Sequence, residues 1–284
     1  MPRGASSWPY GADAPRVATL IADVAREVGR TTPPPRERPY FDLDCLEPLA
    51  VPLLGRLTTA GIFRKYEHVL DLATALGGAA RWLARSHGCR VLGVARTAPQ
   101  AAAASLLSTR ANLDDQVEAV AASPAALPVR SEAFTHVWSL DAWERADDWP
   151  QILAEAFRAL RGGGMFAGQE LLVGPAGAFR DPAGSGPDEL PPDVAARPSA
   201  AAYAETLRAA GFIDVRVLDV TDQHPERQMT YESARATLLG RIAAEVHPSS
   251  PYLHAIQRRA AIAAARQRGL LRVYHFLATR PDAR

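Results

Sequence analysis

The chain has 284 residues, of which 48% are hydrophobic and 22% are charged, and this composition is ordinary for a folded domain with a sizeable apolar core. Its 32 basic and 31 acidic side chains give a formal charge of +1, which excludes the strong positive field typical of proteins that bind nucleic acid or anionic membranes. We therefore expect neither nucleic acid nor a membrane among its partners. The 2 cysteines are too few for a disulfide framework, and the histidines lack metal-ligand spacing, so we predict no metal site.

Targeting patterns give a similar expectation. The sequence has no run of about 18 apolar residues and no signal-peptide hydrophobic region after Met1, so we expect a cytoplasmic location. Abundant alanine and arginine, with Lys65 as the single lysine, are typical of a bacterial coding sequence.

The first forty residues are predicted to form a helix and a linker. The proline-rich residues 31–40 predict a linker that detaches the preceding helix from the core. We therefore divide the chain into residues 1–40, the helix and linker, and residues 41–284, the main domain. The apolar residues that recur at helical spacing in the first part are Val17, Leu20, Ile21, Val24 and Val28.

A strand–turn–helix–strand unit occupies residues 68–98. A short apolar run predicts the first strand, Gly77 and Gly78 predict a turn, and an amphipathic helix and a second apolar run follow. The ligand crevice of such a βαβ unit lies at the carboxyl ends of its strands. The apolar positions of the unit are Val69, Leu70, Leu72, Trp82, Leu83, Val91, Leu92 and Val94.

Further strands and helices alternate along the rest of the chain. Helical spacing from Ile152 to Leu160 precedes three glycines at residues 162–164, which we predict to end that helix. Ser199 is predicted to cap a helix that contains Tyr203. The remaining strands are predicted at residues 117–122 and around Val137, Phe166, Val215 and Val273.

Residues 133–161, AFTHVWSLDAWERADDWPQILAEAFRALR, resemble the fourth strand and following helix of class I S-adenosylmethionine (SAM)-dependent methyltransferases. Residues 210–221 and 269–281 resemble the sixth and seventh strands of that family, so the resemblance covers residues 40–281. It is closest to small-molecule enzymes of the glycine–sarcosine type. The resemblance implies an α/β fold: a Rossmann-like, seven-stranded methyltransferase sheet, mostly parallel with an antiparallel last strand, with helices on both faces and a helical lid.

The resemblance also implies that SAM binds at the first βαβ turn, although this chain departs from the family's motif there. Asp71 matches the acid that opens the motif and Gly77 matches its last glycine. Ala73 and Ala75 replace the other two glycines. Ala75 places a β-carbon where the family's chain adopts a glycine-only geometry or touches the ligand.

Two further cofactor positions are altered. Ala95 stands at the end of the second strand, where the family has an acid that accepts hydrogen bonds from both ribose hydroxyls, and Ser123 stands where an Asp often lies near the adenine. Each lost charge-assisted hydrogen bond costs roughly 1.5–3 kcal/mol. The loss of two such bonds predicts that SAM binding is weakened by about a hundredfold or more, or lost.

Four residues are candidates for a substrate pocket. Asp141 and Glu144 follow the fourth strand, and Tyr40 and Tyr203 lie in segments expected above it. We expect Asp141, Glu144 and at least one of the two tyrosines to face one cavity. Helix capping or loop solvation is the alternative for the two acids, and packing on the core is the alternative for Tyr40. Residues 174–202 are predicted to be a mobile loop, and residues 225–268 a helical lid insertion.

No catalytic residue can be assigned from the sequence, because no nucleophile elbow, Cys–His pair or phosphate loop is present. His275 falls inside a strand pattern and is expected to be structural. Our leading hypothesis is a methyltransferase-like protein that acts on or binds a small molecule, with SAM binding weakened or lost. The alternatives are a methyltransferase fold repurposed for cyclisation or elimination, and a non-catalytic partner of an active homologue. The sequence does not decide the oligomeric state, and both a homo-oligomer and a hetero-oligomer are possible.

Overall fold

The computed structural model describes residues 12–30, 43, 51–140, 142, 149–174, 197–223, 232–246 and 264–282. The helices are α1 (Ala14–Gly29), α2 (Val51–Ala60), α3 (Gly78–His87), α4 (Ala98–Arg110), α5 (Trp149–Ala159), α6 (Ala200–Ala209) and α7 (Glu232–Glu245). The strands are β1 (His68–Asp71), β2 (Arg90–Ala95), β3 (Val117–Ala121), β4 (Phe134–Leu140), β5 (Leu160–Val173), β6 (Ile213–Asp219) and β7 (Leu271–Thr279).

Several predicted features lie outside the described residues. They include Tyr40, Asp141 and Glu144, three of the four predicted pocket residues. Residues 175–196 of the predicted loop and residues 225–231 and 247–263 of the predicted lid also lie outside. The expectation that Asp141, Glu144 and at least one of the two tyrosines share a cavity therefore stays a prediction.

The strands form one sheet in the order β3-β2-β1-β4-β5-β7-β6. The strands from β3 to β5 pair in parallel, whereas β7 is antiparallel to both β5 and β6. The predicted seven-stranded sheet with an antiparallel last strand is confirmed. The order of the strands reverses between β1 and β4, and ligands of open α/β sheets bind at the carboxyl edge beside such a reversal.

Helices cover both faces of the sheet. The first face carries Val69, Trp138 and Leu277 and packs against α1, α2, α3, α4 and α7. The second face carries Leu70, Phe166 and similar residues and packs against α5 and α6. Burial on both faces explains why the central strands have nearly continuous apolar sequences instead of alternating ones.

Helix α1 belongs to the main core, which corrects the interpretation that the linker detaches it. Val17, Ile21 and Val24 are almost fully buried and join the same apolar cluster as the strands of the first face. The physical reason is the width of the apolar stripe, which a helix buries against a neighbouring element whatever the composition of the following linker. The boundary at residue 40 stays a prediction.

Helix α7, the described part of the predicted lid, packs beside α1. Leu238 and Ile242 are buried in the core of the first face. Arg241 donates two hydrogen bonds to the Glu27 carboxylate, at 3.0 and 2.7 Å. Within the described residues, no helix is long and apolar enough to cross a membrane.

The local predictions at two helix ends are only partly right. The Ser199 hydroxyl accepts a hydrogen bond from the Ala202 amide at 3.2 Å, so the predicted cap of α6 is confirmed. Helix α5 ends at Ala159, and the three glycines at residues 162–164 lie inside β5 instead of stopping the helix.

Candidate functional site

The turn after β1 lies across the carboxyl ends of three strands. The Leu72 amide donates to the Trp138 carbonyl of β4 at 2.9 Å, and the Thr74 amide donates to the Val94 carbonyl of β2 at 3.1 Å. A β-carbon at Gly93 of β2 would lie 2.5 Å from the Thr74 hydroxyl oxygen. The turn can therefore approach β2 this closely only because residue 93 has no side chain.

The turn is left-handed at two positions, one of which is not glycine. Ala75 has a φ of 49°, in the region that glycine adopts most easily, and Gly77 has a φ of 81°. The Gly77 amide donates to the Thr74 carbonyl at 2.6 Å and closes the turn. Ala75 thus adopts the left-handed conformation in spite of its β-carbon, and the expectation that this β-carbon meets the cofactor stays a prediction.

A buried arginine supports this turn from below, and sequence reasoning missed it. Arg81 of α3 is 1% exposed and donates to the Leu76 carbonyl at 2.8 Å. A β-carbon at Gly77 would lie 2.6 Å from the Arg81 Nη1 atom, so this glycine leaves room for the guanidinium. The signal in the sequence was an arginine on the apolar side of a helix, four residues after a glycine.

The carboxyl group of Asp71 is the most perturbed acid of the site. Asp71 is 1% exposed at the end of β1. Burial raises its pKa to about 6, and the neighbouring Thr74 hydroxyl and Ala73 amide oppose the rise. Its Oδ1 atom accepts from the Ala73 amide at 3.3 Å.

Two buried oxygens at this turn lack partners within the described part of the chain: Oδ2 of Asp71 and the hydroxyl of Thr74. The hydroxyl is near enough to lower the pKa of the Asp71 carboxyl but does not hydrogen bond to it with normal geometry. Unpaired buried carboxylate oxygens are costly, so this position favours a hydrogen-bond donor or a cation supplied by a ligand.

The end of β2 offers no acidic side chain. Ala95 is 1% exposed, and its carbonyl accepts from the Ala122 amide at 2.8 Å. The next amide, that of Arg96, donates to the Gln100 Oε1 atom at 3.0 Å. The Ala95 carbonyl and the Arg96 amide are therefore paired within the protein, and no side chain at position 95 can accept a hydrogen bond from a ribose.

Ser123 lies beyond β3 in a turn. Its hydroxyl accepts from the Ala125 amide at 3.2 Å, and the side chain is exposed. The described geometry gives Ser123 a role in its own turn, and its predicted cofactor contact stays a prediction.

Tyr203 meets a buried glutamate at the second face of the sheet. The Tyr203 hydroxyl donates to Glu170 Oε1 over 3.4 Å, and Ser139 donates to the same oxygen over 2.9 Å. The Tyr203 ring stacks on Trp149 at 5.3 Å and contacts Phe276 at 4.2 Å. Tyr203 is 1% exposed, so it forms part of the core, and its predicted contact with a substrate stays a prediction.

A second polar pair lies on the first face, where sequence reasoning expected only a structural histidine. His275 of β7 and Gln169 of β5 are direct register partners, and their side chains form a 3.0 Å hydrogen bond. Gln169 also pairs in register with Leu140, the last residue of β4, so the pair lies at the carboxyl edge. Burial and the nearby Arg56 of α2 lower the pKa of His275 to about 4.

The described candidate residues thus fall into two groups. One surrounds the first turn and the neighbouring strand ends: Asp71, Ala73, Ala75, Gly77, Ala95 and Ser123. Tyr203 lies apart from them, two strands away beside Glu170. In the described ranges, no three His, Cys, Asp or Glu residues are grouped so that they could hold a metal ion.

Comparison with protein families identifies the central part of the chain. Residues 70–168 match the family described as a methyltransferase domain. The chain is 30% identical over 161 residues to a sarcosine/dimethylglycine N-methyltransferase of Halorhodospira halochloris, with 56% of each protein covered. It is 29% identical to an erythromycin 3''-O-methyltransferase of Saccharopolyspora erythraea, with 68% of this chain and 66% of that protein covered. The matches therefore span about half to two thirds of these relatives.

Solved structures share the whole fold at low sequence identity. A phosphoethanolamine N-methyltransferase 2 of Haemonchus contortus in complex with SAM has a TM-score of 0.63 at 17% identity, covering 91% of this chain and 60% of that one. The [4+2]-cyclase SpnF has a TM-score of 0.61 at 19% identity, with 82% of each chain covered. Identities this low support the fold alone.

Proposed function

We propose that this chain, which has the class I methyltransferase fold and matches a methyltransferase domain at residues 70–168, transfers methyl groups to a small molecule, with SAM held weakly. The named relatives are small-molecule methyltransferases, and their acceptors include an amine and a hydroxyl. Neither acceptor is carried over to this chain by similarity alone.

The observation that carries the proposal is the left-handed turn beside the buried Asp71. One oxygen of this carboxyl lacks a partner among the described residues, and it lies at the strand reversal where a ligand of this fold binds. The turn therefore fits the amino-acid end of SAM, with Asp71 and the backbone from Ala73 to Gly77 as the residues that would hold it. The end of β2 fits less well, because Ala95 cannot accept hydrogen bonds from a ribose.

Bound SAM would supply an activated methyl group. The contribution of the protein is then positional: the turn fixes one reactant, and the neighbouring carboxyl edge holds the acceptor in line with it. Holding two reactants in this way lowers the barrier without a strong acid or base. Asp71, buried and at the turn, orients the cofactor and is assigned no part in proton transfer.

Calorimetric titration with SAM and with S-adenosylhomocysteine tests the proposal. We expect dissociation constants on the order of 100 μM or weaker, since the ribose lacks its charged acceptor. Micromolar binding would refute the weakening and leave ordinary methyl transfer. No detectable binding of either compound at millimolar concentration would refute methyl transfer itself.

The double substitution of Ala75→Gly with Ala95→Asp tests the cause of the weakening. It should strengthen SAM binding by about tenfold or more, because it removes a strained β-carbon and restores an acceptor. Ala122→Asp is the matched control, since it adds the same charge one strand away, at the residue whose amide binds the Ala95 carbonyl. An equal gain in the control would mean that added negative charge alone explains the effect.

Two other functions remain as alternatives. Reuse of the fold for cyclisation or elimination agrees with the replacement of the ribose acceptor, and SpnF shows that a cyclase can have this fold. A non-catalytic partner of an active homologue would also tolerate that replacement. The first alternative predicts turnover without SAM consumption, and the second predicts a complex with the homologue and no turnover.

A further inference from the structure

The Gln169–His275 pair is a hydrogen-bonded polar pair on the sheet, and it has no part in the cofactor binding proposed above. The two side chains are 8% and 2% exposed, respectively. Their single hydrogen bond to each other joins His275 Nε2 to Gln169 Oε1 at 3.0 Å. Because an amide oxygen can only accept, Nε2 carries the proton, and the neutral ring keeps an acceptor lone pair on Nδ1.

Each member of the pair keeps one polar end without a partner among the described residues. These ends are Nδ1 of His275, an acceptor, and Nε2 of Gln169, a donor. Neither atom belongs to the fully buried unpaired polar atoms of the described residues, so both can be reached from outside the protein. An accessible acceptor beside an accessible donor suits a ligand group that both donates and accepts a hydrogen bond.

The position of the pair separates it from the cofactor turn. Leu140, Gln169 and His275 lie side by side in register on β4, β5 and β7, two residues beyond the level of Asp71 and Trp138. Three strand spacings separate β7 from β1, which is about 14 Å across the sheet. Both sites lie on the first face at the carboxyl edge. At this separation, the end of the cofactor that the turn holds does not reach the pair, so the pair is better placed to contact a substrate.

The charges around the pair select a class of ligand. The one charged group in the described structure that acts on His275 is Arg56, whose positive charge and the surrounding burial both lower the pKa of the imidazole. A ligand cation would be repelled by Arg56, although Arg56 is exposed and its charge is screened by solvent. A ligand carboxylate would face the lone pair on Nδ1. A neutral group that donates a hydrogen bond avoids both costs.

We infer that the Gln169–His275 pair is a substrate-recognition subsite for a neutral hydroxyl group, which donates its hydrogen bond to His275 Nδ1. The Gln169 amide is then the donor for an oxygen of the same molecule. Arg56 of α2, an exposed residue that also bonds to Gln223 after β6, carries the positive charge that acts on His275 and disfavours an amine there. This assignment rests on the proposed function, in which a small molecule occupies the carboxyl edge.

The test uses the full chain labelled with nitrogen-15 at histidine and two probes of matched shape, cyclohexanol and protonated cyclohexylamine. We expect cyclohexanol to bind with a dissociation constant on the order of 10 mM, as suits a fragment of this size. Its addition should move the Nδ1 resonance of His275 toward lower frequency, as a hydrogen bond to this nitrogen requires. Cyclohexylamine at the same concentration should leave that resonance in place.

Two variants probe the pair itself. His275→Phe removes both nitrogens and assigns the His275 resonance, and Gln169→Met removes the amide at similar length. Each should weaken cyclohexanol binding by about fivefold to tenfold, the loss of one hydrogen bond. Calorimetric titration measures this loss in both variants, since His275→Phe has no His275 resonance to follow. If either variant fails to fold, the response of the wild-type His275 resonance to the two probes is still a complete test.

The matched control is His136→Phe. His136 is also a buried strand histidine, but it lies near the start of β4, and its Nε2 donates to the Gly61 carbonyl at 3.0 Å while Nδ1 meets the Thr135 hydroxyl at 3.0 Å. Its replacement should lower the melting temperature and leave cyclohexanol binding unchanged.

Three outcomes would overturn the inference: a response to cyclohexylamine equal to that of cyclohexanol, no response to either probe, or equal loss of cyclohexanol binding in His136→Phe. Binding of S-adenosylhomocysteine is measured in the same samples. If it is absent while His275 responds to cyclohexanol, the methyl-transfer proposal fails and the subsite stands. The reverse pattern removes the subsite alone.

Discussion

A single β-carbon at position 75 has a cost that glycine would avoid. A left-handed conformation costs an alanine roughly 1–2 kcal/mol, whereas a glycine in the unfolded chain is more flexible by an amount worth roughly 0.4–1 kcal/mol. The two effects oppose each other, and the strain at Ala75, whose φ is 49°, is the larger. The alanine is therefore tolerated in the fold at a modest cost.

Ala75→Gly should leave the melting temperature unchanged or raise it by a few degrees, because it relieves this strain. Ala73→Gly is the matched control: Ala73 is in the same turn but has no positive φ, so glycine should there lower stability by roughly 0.5–1 kcal/mol. Thermal unfolding followed by circular dichroism measures both. Equal destabilisation by the two substitutions would contradict the strain at Ala75.

Asp71 should make stability depend on pH in a specific window. Its pKa is raised to about 6 in the folded chain and is close to the ordinary 3.8 when unfolded. The folded state therefore keeps its proton where the unfolded state has lost it, so stability is full below about pH 4 and falls as pH rises through about 6. The loss at neutral pH is about 3 kcal/mol for a shift of about two units.

Asp71→Asn should remove this loss, since an amide of the same shape stays neutral and its oxygen still accepts from the Ala73 amide. We expect the variant to be more stable than the parent above pH 7 and equally stable near pH 4. Denaturant unfolding at both values measures the difference. A variant less stable than the parent at pH 7.5 would mean that the carboxylate has an unseen partner.

At the scale of elements, β6 is the exposed edge of the sheet. Ile213, Val217 and Leu218 are 47%, 37% and 47% exposed, an apolar edge that favours pairing with another chain. Two features oppose such pairing. The register of β6 with β7 shifts between Ile213 and Arg216, where Asp214 has a φ of 53°, and an arginine stands between the exposed apolar residues.

Arg216→Ile should therefore promote aggregation, because it removes the charge from the strand and leaves the apolar residues continuous. Light scattering during a slow thermal ramp should begin at a lower temperature in this variant. Arg208→Ile is the matched control, an equally exposed arginine on α6 that is paired with Glu205 and lies away from any sheet edge. If scattering began at the same temperature in both variants, the loss of a surface charge would explain the aggregation, and the exposed edge strand β6 would not.

At the scale of the whole molecule, the apolar pattern predicted the seven strands and the antiparallel last strand, because most of the strands are buried runs with turn residues between them. The unusual backbone at Ala75 could be suspected from the sequence, because alanine stands there in place of a glycine of the family's motif. The Gln169–His275 pair was not, because its members are 106 residues apart and meet only after β7 enters the sheet beside β5. Nor was the buried Arg81, which depends on the space left by Gly77.

The packing of α1 shows the same dependence on distant residues, and it decides whether the chain unfolds as one unit. Ile21 is fully buried in the core of the first face, whereas Glu27 forms an exposed ion pair with Arg241 of α7, 214 residues away. If α1 is part of the core, Ile21→Ala should lower the free energy of unfolding by about 2–5 kcal/mol, the cost of a cavity.

The transition of Ile21→Ala should also remain single, with far-ultraviolet circular dichroism and tryptophan fluorescence changing together. Glu27→Gln, on the same helix, should barely move the midpoint, because an exposed ion pair contributes little. A separate early transition in Ile21→Ala, with the main transition left at the parent's midpoint, would mean that α1 unfolds independently and would restore residue 40 as a true domain boundary. A single shifted transition would instead extend the domain to the start of α1 at Ala14.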